Sequence, residues 1–455
     1  MDARTVTSEE IGAFYEKHLP GDDFLGGDSN RMAPRDEDIG IRRRPLRLLV
    51  VSSDTYPPTR VDVTVLFAEE LAGRGHTIDW LLQSEGGCSR PYVVHWNGGQ
   101  VWVGPTDLGT SLLSRMRKHL LDIVHDMKLF SLVRSGSYDV VEVKDKFLSG
   151  IFALMAARLY HKRFVYWLSW PSPEEYLTRA IDGTGRYPFL YRIRGLAFKA
   201  LLYRLLLPAA DHVFVQSEQM KRDIAAEGIP LAKMTAVPMG IKFDRIAMSD
   251  DREQRRVIPP GERCVLYLGT LSKVRRLDFL IRVFADVHKH CPDVKLYIVG
   301  RGDDQSDEQL LIAEVQKWGV QDCVVFVGQL PQWQALQYVR EADVCVSPFF
   351  PTPILNSTSP TKLVEYMAMG KAVVANDHPE QRLVLEESRG GYCVPWSESE
   401  FAQAVVKLLE SPALAREMGA RGRVYALQHR SYGRIADVVE REFFRIVDNQ
   451  SARYP

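Results

Sequence analysis

Short, nearly continuous apolar runs alternate along most of this chain with stretches whose apolar residues recur at helical spacing. Residues 46–52 (LRLLVVS) read as a buried strand. Residues 65–74 carry Leu66, Phe67 and Leu71 on one helical face and stop at Gly75, and residues 77–82 form the next strand. Strands this apolar are covered on both sides, as in parallel sheets. The rhythm continues with strands at 138–143, 164–169, 212–216 and 235–237, and a helix at 147–160. Pro238-Met239-Gly240 turns into a linker, and the polar, proline-containing residues 249–262 mark a domain boundary.

The same grammar then restarts. Strands are expected at 264–268, 295–299, 324–327, 344–347, 372–375 and 392–394, with an amphipathic helix at 277–290. The pattern predicts an α/β protein of two doubly wound, Rossmann-like domains facing across a cleft, residues 45–245 and 246–430. Residues 431–455 carry Ile435, Val438, Val439, Phe443, Phe444 and Ile446 at helical spacing and are expected to cross back to the first domain. Residues 1–44 are polar and partly acidic and read as a partly disordered tail.

Composition narrows the classes. A chain of 455 residues exceeds one ordinary core. Formal net charge is zero, so no global field draws it to nucleic acid. The six cysteines stand singly and read as buried thiols of a reducing compartment, not as a metal site. We find neither a signal peptide nor an apolar window long enough to span a bilayer, so a cytoplasmic protein is expected.

Chemistry concentrates in the second half. Residues 359–371 (SPTKLVEYMAMGK) read as a loop, a helix opened by Thr361 and Lys362, and a stop at Gly370. Such a helix aims free N–H groups at whatever precedes it, and Lys362 adds a cation there. Glu365 sits one turn in, within reach of ribose hydroxyls, although a glutamate early in a helix is also favourable through the dipole alone. Gly269, at a strand end, is followed by Lys273, Arg275 and Arg276, cations suited to a diphosphate or simply to water. Gly300 and Gly328 close two more strands, and Val327 with Gly328 offers a flat surface for a base.

These motifs resemble those of the retaining nucleotide-sugar glycosyltransferases of family 4, which have the GT-B fold. The likeness lies in Gly269, Leu271 and Arg275, in Val299–Gly302, and in Glu365–Ala375. In the first half it lies in the segments SSDTYPP (52–58) and LAGRGH (71–76), so that it covers about residues 45–430. The resemblance implies a hexosyltransferase that uses no metal or other cofactor. It gives Glu365 the ribose hydroxyls, Thr361 and Lys362 (with Leu363 beside them) the diphosphate, and Arg275 the leaving charge. Gly269, Thr270, Gly300, Val327 and Gly328 would complete the donor site. The donor would be a UDP- or GDP-sugar, and the acceptor a glycan or a polyprenyl-diphosphate-linked sugar.

Three positions depart from that family pattern. Ser357 stands where a first glutamate is usual, Thr270 where an arginine is usual, and Thr59-Arg60-Val61-Asp62 replaces a double glycine. Arg60 would then meet phosphate and Asp62 a hydroxyl, unless the two merely shape their loop. Ser169 stands where many relatives have histidine. These departures resemble a subgroup that builds bacterial surface polysaccharides. Residues 186–204 interleave Arg192, Arg194, Lys199 and Arg204 with aromatic and aliphatic side chains, and Arg115, Arg117, Lys118 and His119 form a second basic cluster. The first reads either as a peripheral contact with an anionic membrane or as an ordinary solvated helix. A GT-B epimerase and a nucleotide-sugar-binding scaffold without catalysis remain as alternatives.

Overall fold

The computed structural model describes residues 44–109, 111–182, 187–243, 256–302 and 304–451. The expected tail at 1–44, except its last residue, and the middle of the expected linker lie outside these. Eight strands form the first sheet: β1 (Arg47–Tyr56), β2 (Thr77–Ser84), β3 (Tyr92–Trp96), β4 (Gly99–Gly104), β5 (Val140–Lys144), β6 (Arg163–Leu168), β7 (His212–Val215) and β8 (Met234–Ala236). Their order is β3-β4-β2-β1-β5-β6-β7-β8. Only β3 runs antiparallel. The second sheet contains β9 (Arg263–Leu268), β10 (Val294–Val299), β11 (Val324–Gly328), β12 (Val344–Ser347), β13 (Val373–Asn376) and β14 (Gly391–Val394). All its pairings are parallel, in the order β11-β10-β9-β12-β13-β14.

Each sheet is buried on both faces, which is why its strands carry unbroken apolar runs. One face of the first sheet packs Val50, Val140, Val165 and Trp167 beneath Phe67 and Phe443. The other packs Val141, Phe164 and Tyr166 beneath Ala153 and Leu206. In both lobes the topology puts the carboxyl ends of the central strands on one edge, where ligands of open α/β sheets bind.

The helices that matter below are α1 (Asp62–Leu71), α2 (Leu112–Asp126), α3 (Phe147–Leu159), α4 (Pro188–Leu201), α5 (Glu218–Ala226), α6 (Asp278–His290), α7 (Gln332–Glu341), α8 (Thr361–Ala368), α9 (Pro379–Ser388) and α10 (Tyr432–Ser451). α1 begins three residues earlier than its apolar spacing indicates and is wound as a π-helix, a form frequent at functional sites. The β3–β4 hairpin was not anticipated. The end of the expected linker also belongs to the second lobe, because Ile258 is buried in that core and the N–H groups of Val257 and Ile258 donate to Glu341.

The chain crosses between lobes twice at one place. The Ile241 N–H donates to the Arg430 carbonyl at 2.8 Å, and the Tyr432 N–H donates back to Ile241 at 3.0 Å. Beyond this crossing α10 lies on the first sheet, with Tyr432, Ile435, Val439 and Phe443 in that core.

Candidate active site

Three glycines end adjacent strands of the second sheet and stack their loops against one another. Gly269 N–H donates to Val299 and Gly300 N–H to Gly328, both at 2.9 Å. Gly300 has φ +145°, and a Cβ there would lie 1.9 Å from the Gly269 carbonyl oxygen. Only glycine fits such an approach. The loops that follow, with Thr270 and Arg301 exposed, leave a surface on which phosphates and a base can lie flat.

α8 points its N-terminus at this surface. Lys362, its second residue, folds back over Gly269: a Cβ on Gly269 would be 2.8 Å from Lys362 Nζ. The ammonium stands 3.9 Å from the Tyr267 ring centroid and 5.3 Å from that of Phe349. Arg275 lies over the same Phe349 ring, its Cζ 4.8 Å from the centroid. One aromatic platform therefore holds both cations together. Burial, and then Arg275, pull the Lys362 pKa well below the usual lysine range, against the pull of Glu365. An anion between the two cations would relieve that strain. Arg275 Nη1 is moreover buried without a hydrogen-bond partner.

Glu365 is buried and accepts a 2.9 Å bond from Gln332 at the start of α7. Burial raises its pKa, partly offset by Gln332 and Lys362. With Thr361, Gln332 and Lys242 it lines a small pocket that Val61 of the first lobe closes. Thr270 is exposed, and its carbonyl accepts from the Tyr267 hydroxyl at 3.0 Å. Val327 and Gly328 are half-buried at the end of β11. Leu363 needs a correction. Its side chain is packed in the core among Leu266, Tyr297 and Val299, so only its backbone is available to a donor.

Across the cleft, Arg60 does not stand free for phosphate. Its guanidinium forks onto Asp62 at 2.9 and 3.1 Å, and lies 3.7 Å from Asp54 and 3.9 Å from Asp145. Lys144, with no exposed side chain, sits 2.9 Å from Asp54 and 3.2 Å from Asp62. Burial opposes ionisation of Asp62, but Lys144 and Arg60 outweigh it and hold that carboxyl below its ordinary range. Asp145 goes the other way: burial raises it despite Lys144 and Arg60. Ser169 is buried and gives both its N–H and its hydroxyl to Asp145. Three carboxylates thus meet two cations, a balance that suits sugar hydroxyls better than a diphosphate. Ser357 is likewise turned away from the donor. Its carbonyl accepts from Ser217 at 2.7 Å and its hydroxyl donates to Asp223 of α5, which ties the lobes together.

Sequence reasoning missed Tyr267, Phe349, Gln332, Asp54, Lys144 and Asp145. The available signals were Lys144, a cation directly ending β5, and Asp54, which lies within the segment SSDTYPP (52–58).

Two parallel α/β lobes with a glycine-loop, cation and carboxylate cluster on one side of their crevice define a GT-B protein. Resemblances in sequence agree. Residues 62–240 match the family model described as a glycosyl transferase 4-like domain, and residues 262–411 match that for glycosyl transferases group 1. The chain belongs to glycosyltransferase family 4. An α-monoglucosyldiacylglycerol synthase of Streptococcus pneumoniae is 24% identical over 327 residues, 70% of this chain and 66% of that protein. A phosphatidyl-myo-inositol mannosyltransferase of Mycobacterium leprae is 32% identical over 188 residues, 41% of this chain and 47% of that protein. The chain thus spans about half to two thirds of the length of the curated relatives it matches. Among solved structures, sucrose-phosphate synthase of Thermosynechococcus elongatus superposes with a TM-score of 0.68 at 19% identity, over 89% of this chain and all of that one. Anabaena HepE in complex with UDP and glucose does so with 0.61 at 15%, over 88% of this chain and all of that one.

Proposed function

We propose that this protein is a retaining glycosyltransferase that moves a sugar from a nucleotide-diphosphate donor to a lipid-linked or glycan acceptor in surface-polysaccharide synthesis. The observation that carries this reading is the pair Lys362 and Arg275, held over one ring beside the glycine loops, with Glu365 three residues further along α8. Glu365 takes the ribose hydroxyls. The two cations and the N–H groups at Thr361 and Lys362 take the diphosphate, with the base against Val327 and Gly328.

As the sugar–phosphate bond breaks, negative charge grows on the diphosphate, and fixed cations there stabilise the transition state more than the ground state. The acceptor hydroxyl attacks on the face the diphosphate leaves and passes its proton to the departing phosphate oxygen. No metal ion or other cofactor enters this reading. The Asp54–Asp62–Asp145 cluster positions the acceptor through its hydroxyls. A solved neighbour crystallised with UDP favours a uridine donor over a guanosine one. The curated relatives named for glycolipid synthesis favour a lipid-linked acceptor, met through residues 186–204 on the cytoplasmic side of a membrane.

Release of nucleoside diphosphate from a panel of UDP- and GDP-sugars, with and without polyprenyl-diphosphate sugars, tests the proposal. Turnover is expected to require an acceptor. Arg275→Met and Lys362→Met should each lower kcat by about 10²–10³. A protein that binds and consumes no donor is not this enzyme. Turnover of the donor to an epimer without acceptor would assign it to the epimerases.

A further inference from the structure

Most of the large apolar side chains exposed among the described residues belong to the stretch 108–205, and three helices on one face of the first sheet carry the bulk of them. α2 is the clearest case. Leu113, Met116, Leu120 and Val124 recur at i, i+3, i+7 and i+11, and their exposures run from 58% to 76%. That spacing is one stripe of a helix. The C-terminal end of α2 is anchored: His125 bonds the Trp102 carbonyl at 3.1 Å, and Asp126 is fully buried. Residues 116–120 of the helix are all exposed.

The stripe has neighbours. Met155 and Leu159 of α3 are exposed, as are Phe189 and Ile193 of α4. α3 joins the other two helices. Lys146 at its start reaches Asp122 of α2 at 2.7 Å, and Phe147 stacks on Phe198 of α4 at 4.6 Å between centroids. The exposed apolar side chains of α2, α3 and α4 therefore sit on three helices that meet at the start of α3, grouped rather than singly scattered.

Charge says what covers it. Residues 112–121 of α2 and all of α3 and α4 contain no aspartate or glutamate, and Asp122 and Asp126 at the end of α2 meet Lys146. Arg158 pairs with Asp211 and Lys199 with Glu227, while Arg117, Lys118, Arg192 and Arg194 are exposed. Arg117, Lys118 and Arg192 are exposed and flank the apolar stripes. A second copy using the same face would bring like charges together. A sheet of anionic headgroups over hydrocarbon satisfies both the apolar stripes and the cations.

We propose that the α2–α3–α4 face docks this protein on an anionic lipid bilayer, with α2 lying in the interface. This rests on the lipid-linked acceptor reading and extends it from one helix to three. The face begins at the start of α3, two residues after Asp145 of the acceptor-side cluster, so docking would present the first-lobe side of the cleft to the headgroups.

Sedimentation of the full chain with phosphatidylcholine vesicles, with and without about 30% phosphatidylglycerol, tests the proposal, while calorimetry of UDP binding checks each variant's fold. Binding is expected to the anionic vesicles, with partition about tenfold weaker to neutral ones and falling with added salt. Leu120→Asp on α2, Met155→Asp on α3 and Ile193→Asp on α4 should each lower partition about tenfold and leave UDP affinity within twofold. The face is overturned if anionic vesicles do not bind the protein, or if Leu120→Asp and Met155→Asp partition like the parent. It is also overturned if the parent self-associates instead and the variants are monomeric. Vesicle binding without any UDP affinity would leave the face standing and remove the donor reading.

Discussion

Glu142 sits in the middle of β5 with both carboxyl oxygens buried and without hydrogen-bond partners. Burial pushes its pKa from 4.5 up to about 8, and Lys144 opposes that rise. A carboxyl raised in the fold stabilises the protein fully only below its unfolded pKa. Between pH 4.5 and 8 the native state keeps a proton that the unfolded chain has lost, so stability falls as pH rises through this window. Glu142→Gln removes the dependence. The variant should match the parent near pH 4.5 and exceed it by at most about 5 kcal/mol at pH 9, by the free energy of the shift. Urea melts at pH 5, 7 and 9 measure the gap, and parallel pH curves for the two proteins would refute the assignment. Lys362 gives a second prediction at this scale. A diphosphate arriving beside it favours its protonated form and offsets the lowering by burial and Arg275, so any change in its protonation on UDP binding should be a proton uptake. Calorimetry in buffers of differing ionisation enthalpy reads that uptake, and Lys362→Met should abolish it.

The strand-end loops show how a few backbone positions set the donor surface. Gly300→Ala puts a methyl group 1.9 Å from the Gly269 oxygen, so that loop must move. Gly328 also has a positive φ, +84°, but open space around it. Gly328→Ala should cost only about 1 kcal/mol from the left-handed backbone. Gly300→Ala should cost more and weaken UDP binding at least tenfold. Equal effects in melts and titrations would show that the stacking of the loops does not matter. These glycines were legible in the sequence because each follows an apolar run directly, and Lys362 and Glu365 were legible because one short helix carries both. Of the first-lobe cluster, Arg60, Asp62 and Ser169 were legible but Lys144 and Asp145 were not, since Lys144 meets its partner Asp54 across 90 residues of chain. The β3–β4 hairpin was missed for another reason. Its strand Tyr92–Trp96 (YVVHW) is a largely exposed edge of five residues broken by His95, although Asn97-Gly98 (φ +45° and +80°) marked the turn. The stripe on α2 has the period of a buried helix, and periodicity alone does not distinguish a face in the core from one in contact with lipid.

At the scale of the whole molecule, the last helix completes the first lobe. Phe443 of α10 is 1% exposed and stacks edge-on against Phe214, 5.4 Å between centroids. Arg74 adds ion pairs to Asp437 at 2.8 Å and Glu440 at 2.6 Å, and His76 bonds Glu440 at 2.9 Å. The apolar part dominates. Partly exposed pairs like those of Arg74 contribute about 0–1 kcal/mol each, whereas truncating a buried phenylalanine costs about 3–5 kcal/mol. Phe443→Ala should therefore destabilise the protein several times more than Arg74→Met. The arrangement also orders the folding. The second lobe lies between the first lobe's strands and the helix that covers them, and Arg430 is fixed in it by a 2.8 Å buried pair with Glu380 of α9. A fragment ending at residue 243 keeps all eight strands of the first sheet but leaves Val50, Trp167 and Phe214 without the cover of α10. It should bind a hydrophobic dye and lose a cooperative melt, and the full chain should show one transition in which both lobes take part. If the fragment melts cooperatively at the temperature of the full chain, α10 is an accessory and the first lobe is independent of the second.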